Sequence, residues 1–138
     1  MEIIIKSLNK AINNNNWYVA LFTALSLPDI CGKIEDPKKS STQRYKEWFD
    51  KYLAKKYKKE IGTKKQEHVF LSADDCYALR CAYLHEGSGE IIDQNTRRTL
   101  EYFQFSAPPE SGSIHCNQSN NTLQLQIDIF CSDIIEGV

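Results

Sequence analysis

The sequence predicts a mainly α protein: a bundle of about four to five helices carrying a small C-terminal antiparallel β-hairpin or three-stranded sheet. Up to residue 92, apolar residues recur at three- and four-residue spacing in four separate segments. Beyond residue 93 the pattern becomes alternating, and turn residues cut the chain into short pieces. At 138 residues the chain is one domain by size, large enough to bury a core without covalent staples. Within that single domain, 1–92 forms the bundle, and 93–138 forms the β extension and the start of a final helix.

Each element has its own signal. Residues 2–12 place Ile4, Ile5, Leu8 and Ile12 on one helical stripe. Asn13, Asn14, Asn15 and Asn16 then read as a turn, because Asn tolerates left-handed geometry, and they supply an N-cap for the next helix. Residues 17–33 are apolar on most sides, with Trp17, Val19, Leu21, Phe22 and Leu25, so this helix belongs at the centre of the bundle. Pro28 removes one of its hydrogen bonds and is expected to kink or restart it. Ser40 with Gln43 fits a capping box for a third helix over 41–59. Tyr45, Trp48, Phe49, Tyr52 and Leu53 follow at i, i+3, i+4, i+7 and i+8, a stripe that reads as core rather than as a base-stacking platform. Its far face carries Lys55, Lys56, Lys58 and Lys59, either a solvated face or an electrostatic guide for an RNA backbone. Residues 62–66 form a loop, and His68 lies in a short apolar stretch as a structural residue.

The fourth helix spans 72–87. Ser72 is its N-cap, Asp74 and Asp75 complement the positive end of the dipole, and Gly87 closes it, followed by Ser88 and Gly89. Residues 99–106 and 122–129 are expected to pair as antiparallel strands, and 114–117 offers a short third strand. Phe130, Ile134 and Val138 recur every four residues and announce a last helix.

Composition excludes some classes of function. A net charge of −1 argues against a surface coated in basic residues, while permitting a local basic patch. The five cysteines are odd in number and none has C-x-x-C spacing, the usage of a reducing compartment. His115 and Cys116, with distant partners, leave a zinc site open on paper, but no compact ligand cluster is present and no cofactor is implied. No apolar run reaches the length of a membrane span, and the N-terminus lacks a signal-peptide pattern, so the expectation is a soluble cytoplasmic protein without a membrane partner.

The chemistry concentrates in the fourth helix. Arg80 is followed five positions later by His85, and at about 100° per residue the two side chains start about 140° apart around the axis. They flank a groove with Cys81 between them. Arg offers a permanent positive fork matched to phosphate oxygens, and His gives or takes a proton near neutral pH. An Arg and a His near a helix C-terminus can equally serve only the helix dipole.

Leu79-Arg80-Cys81-Ala82-Tyr83-Leu84-His85-Glu86-Gly87 resembles the Arg-x4–6-His signature of the HEPN superfamily of helical bundles, here with a spacing of four. Two N-terminal helices, an aromatic-rich third and a signature-bearing fourth follow the HEPN order over residues 2–87. The resemblance implies metal-independent RNA cleavage in a toxin–antitoxin or defence setting by a homodimer, with a possible antitoxin or other partner protein. It implies that His85 handles the proton of the 2′-hydroxyl or of the leaving oxygen, and that Arg80 stabilises charge on the phosphate. Cys81 departs from the polar residue common after the Arg, and a thiol is a weak hydrogen-bond partner. Tyr77 and Tyr83 lie near enough to support the site or to belong to the core. The alternative is a non-catalytic HEPN-like module that binds a partner protein or a nucleotide.

Overall fold

The computed structural model describes residues 1–86 and 102–138, with backbone alone at 85 and 86. The helix stop at Gly87, Ser88 and Gly89, and the start of the strand expected over 99–106, lie outside the described residues. Among the described residues there are five α-helices, a β-hairpin and a three-stranded sheet.

Helix α2 (Trp17–Glu35) is the central element, as its apolar circumference predicts. It buries Ala20, Leu21, Ala24, Leu25 and Leu27 and packs against α1 (Glu2–Asn13), α3 (Ser41–Tyr52) and α5 (Ile127–Gly137). Asn16 caps it, accepting from the Val19 N–H at 3.5 Å. The helix does not restart at Pro28. Pro28 is itself buried within one continuous helix, so packing offsets the missing hydrogen bond. Helices α2 and α3 approach closely at Gly32, where a Cβ would lie 2.8 Å from both Cβ and the carbonyl oxygen of Arg44.

Helix α3 begins as expected, with the Ser40 hydroxyl accepting from the Gln43 N–H at 3.3 Å, and buries Tyr45, Trp48 and Phe49. It ends at Tyr52, seven residues before the predicted boundary at 59. A 3₁₀ turn (Ala54–Tyr57) follows, and then β1 (Lys58–Ile61) pairs antiparallel with β2 (Gln66–Val69). Lys55, Lys56, Lys58 and Lys59 are therefore on a turn and a strand, not on the far face of a helix. The reversal uses left-handed backbone at Gly62 (φ 73°) and Lys65 (φ 48°). Tyr57, fully buried, anchors the turn that redirects the chain.

Helix α4 (Ala73–Cys81) runs on into a single π-helical turn (Ala82–Glu86). The C-terminal sheet corrects the expected pairing. Strand β3 (Tyr102–Ser106) runs parallel to β5 (Thr122–Gln126), whereas β4 (Asn117–Ser119) is the antiparallel neighbour of β5, giving the order β3-β5-β4. The cause is the connection. The tight turn at Asn120 (φ 53°) makes β4 and β5 a hairpin, so the chain must first return along 107–116, and β5 re-enters in the direction of β3. The expected strand over 122–129 also stops at Gln126, and α5 starts at Ile127 rather than at Phe130. Ile127, Phe130, Cys131 and Ile134 then form a buried i, i+3, i+4, i+7 stripe. Bundle and sheet share one contiguous core, from Leu8 on α1 to Ile134 on α5.

Candidate functional site

Ser72 fixes the start of α4. Its hydroxyl oxygen accepts from the Asp75 N–H at 3.0 Å, and its O–H donates to Asp75 Oδ2 at 2.6 Å. Asp75 is buried, and desolvation pushes its carboxyl pKa above the usual value against the pull of Ser72. Beside it the half-buried Lys46 Nζ meets Asp74 Oδ1 at 2.5 Å, tying α3 to the first turn of α4.

Arg80 sits at the other end of α4, in a polar cluster built by three helices. Asp29 on α2 is its hub. Oδ1 accepts from Arg44 Nε at 3.2 Å and Nη2 at 2.8 Å, while Oδ2 accepts from the Ser41 hydroxyl at 2.8 Å. Arg80 Nη2 approaches the same Oδ2 only to 3.8 Å. The remaining Arg80 contacts are weak: Nη1 lies 3.9 Å from Cys81 Sγ, and the guanidinium carbon 5.8 Å from the centre of the Tyr77 ring. Among the described residues its buried Nε has no acceptor. Two guanidinium groups thus share one carboxylate, whose Oδ1 already accepts two hydrogen bonds from the first, and among the described residues Arg80 is left under-neutralised. The Arg80 side chain is only 18% exposed, so it lies against the bundle rather than along an open groove.

Tyr77 is held in place by the Thr42 hydroxyl, which donates to its phenol oxygen at 2.9 Å, and by an edge-on contact with Tyr45. Cys81 is half-buried beside Arg80. Tyr83 turns to a different neighbourhood, edge-on to Phe105 of β3 at 5.5 Å, and burial raises its phenol pKa, with Tyr18 adding to the rise. The backbone of His85 lies in the π-helical turn that continues α4, a local geometry found often at functional sites.

The four lysines do not join this cluster, and they do not form one free patch. Lys56 is committed to α5, with Nζ 2.7 Å from Asp133 Oδ1 and also bonded to Glu136. Lys58 faces Glu67 at 3.7 Å. Lys55, Lys58 and Lys59 border a shallow depression together with Glu60 and Glu67, remote in sequence from Arg80. Among the described residues no group of three or more His, Cys, Asp or Glu side chains is arranged to hold a metal ion. In particular, His115 turns toward Asp133 at 3.8 Å and accepts from the Gln126 N–H at 3.3 Å, so its surroundings are those of a packed side chain. All five cysteines are free thiols. No helix among the described residues is long and apolar enough to cross a membrane.

Sequence reasoning missed Asp29, Ser41 and Arg44. Nothing in their spacing marks them, because they reach Arg80 only through the packing of α2, α3 and α4. Comparison of the chain with protein-family models, with curated proteins and with solved structures finds no match.

Proposed function

We propose that this chain is a metal-independent endoribonuclease of HEPN type that works as a homodimer in a toxin–antitoxin or defence system. The observation that carries the reading is the Arg80 guanidinium, which among the described residues is under-neutralised and has a buried Nε with no acceptor, on the helical stretch that also carries His85. A buried cation short of acceptors favours an anion, and a phosphodiester supplies planar pairs of oxygens for it. In the reaction the 2′-oxygen attacks phosphorus and the P–O5′ bond breaks. The products are a 2′,3′-cyclic phosphate and a 5′-hydroxyl. His85 handles the proton of the attacking or the leaving oxygen, and Arg80 holds the charge that grows on the phosphoryl oxygens. The five free thiols fit a reducing cytoplasm.

The second reading is a non-catalytic module that binds a partner protein or a nucleotide. The low exposure of Arg80 and its approach to Asp29 favour it. One assay separates the two. Single-stranded RNAs are incubated in EDTA with the wild type, Arg80→Lys, Arg80→Ala and His85→Ala. The ribonuclease reading expects cyclic-phosphate ends from the wild type and a loss of about 100-fold or more in each variant. A folded wild-type dimer that leaves every RNA intact overturns it.

A further inference from the structure

A cavity of about 240 Å³ opens beside the π-helical turn, lined by Trp17, Tyr18, Leu21, Tyr83, Phe105 and Ile127. We propose that it is a nucleobase-binding subsite that takes one unpaired base by stacking.

Four features of the lining support this ligand class. First, four aromatic rings arrive from three separate places: Trp17 and Tyr18 from the start of α2, Tyr83 from the π-helical turn and Phe105 from β3. Flat rings select a flat partner, and base-on-aromatic stacking tolerates any base. Second, among the described residues no charged side chain lines the cavity, which favours a neutral group such as a base over a phosphate. Third, among the described residues no hydrogen bond engages the phenol hydroxyls of Tyr18 and Tyr83, which leaves both for the polar edge of a base. Tyr18 is 77% exposed, an unusual position for a large aromatic side chain that has no partner to cover. Fourth, the volume lies just under the roughly 300–1,000 Å³ of pockets for drug-sized molecules, a size suited to one heterocycle rather than to a peptide segment.

Position adds the link to chemistry. Tyr83 stands three residues after Arg80 and two before His85 on one continuous helical stretch. The source of the base as part of an RNA chain rests on the ribonuclease reading; the cavity's preference for a flat neutral ring does not.

The test follows the two tryptophan indole N–H signals by NMR, assigned with Trp17→Phe. Trp17 lines the cavity, and Trp48 is buried in the bundle as an internal reference. The probes are adenosine, uridine, their 5′-monophosphates and a 2′-O-methyl RNA hexamer that cannot be cut. The expected result is a saturable shift of Trp17 with Trp48 still. Affinity should fall about tenfold in Tyr18→Ala, whose exposed side chain contributes little to the fold. A hexamer that binds at least about tenfold tighter than the monophosphates identifies RNA as the source, and equal affinity identifies a free nucleotide. A silent Trp17 with every probe overturns the subsite. If RNA is nevertheless cut, the subsite fails while the ribonuclease stands. If Trp17 responds but no RNA is cut, the subsite stands and the ribonuclease falls.

Discussion

His115 shows how a single residue is set by contacts from several elements. The Gln126 N–H donates to its Nδ1, which places the proton of the neutral ring on Nε2, facing Asp133 Oδ2 at 3.8 Å. Tyr57 packs beside the ring. Burial pushes the imidazole pKa below its ordinary 6.5, and Lys59 adds to that; Asp133 and Asp128 pull the other way without reversing it. The unfolded chain therefore binds a proton at His115 more readily than the folded one. Stability from this group is complete above 6.5 and is lost as pH falls through 6.5 toward the folded value. Asp75, held up by burial, works with the opposite sign, so the effect is read as a difference. Urea unfolding at pH 7.5 and 5.5 is expected to show a smaller loss on acidification for His115→Asn than for the wild type. Equal losses would remove His115 from the account.

At the scale of elements, the crossing of α2 and α3 builds the cluster that holds Arg80. Gly32 permits it, and Asp29, one turn earlier on α2, grips Arg44 on α3. Gly32→Ala improves helix propensity by about 1 kcal/mol but drives a methyl group into the Arg44 backbone, at a cost of about 1–3 kcal/mol or more. We expect net destabilisation by denaturant unfolding, with the helices pushed apart at this point. A more stable variant would show that the crossing has room to spare. The hairpin β1–β2 is organised differently. Its first strand is exposed at all four residues, and Glu60 stands directly opposite Glu67. Without apolar alternation, and with Glu67 shared between the favourable Lys58 and the unfavourable Glu60, it is held by its turn and by the buried Tyr57 at its base.

Over the whole molecule, Phe130 on α5 joins the two halves. It is fully buried, with its ring centre 5.4 Å from Phe105 on β3 and 6.4 Å from Tyr57 after α3. Phe130→Ala is expected to cost about 3–5 kcal/mol, a large share of the roughly 5–15 kcal/mol that holds a domain together. Because the core is continuous, far-UV circular dichroism and tryptophan fluorescence are expected to report one coincident transition, lowered as a unit in the variant. Two separated transitions would mean that bundle and sheet unfold independently.

What the sequence determined by itself was local. The 3.6-residue period of α1, α3 and α5, the apolar circumference of α2, the caps at Asn16, Ser40 and Ser72, and the alternation of β5 are written in near neighbours, and near neighbours suffice to form them. Tertiary structure decided the rest. The length of α3 was misjudged because Lys55, Lys56, Lys58 and Lys59 suit a helix face by propensity, whereas burial of Tyr57 and pairing with β2 draw them into a turn and a strand. The direction of β3 against β5 depended on where the loop over 107–116 returns, which no period encodes. Arg80 was legible as a candidate. Its distant approach to Asp29, its competition with Arg44 and the aromatic cavity beside Tyr83 were not, because each depends on side chains brought together across different helices and strands. Secondary structure follows from interactions a few residues apart, but a site is a meeting of distant residues, and only the packing of the core chooses which ones meet.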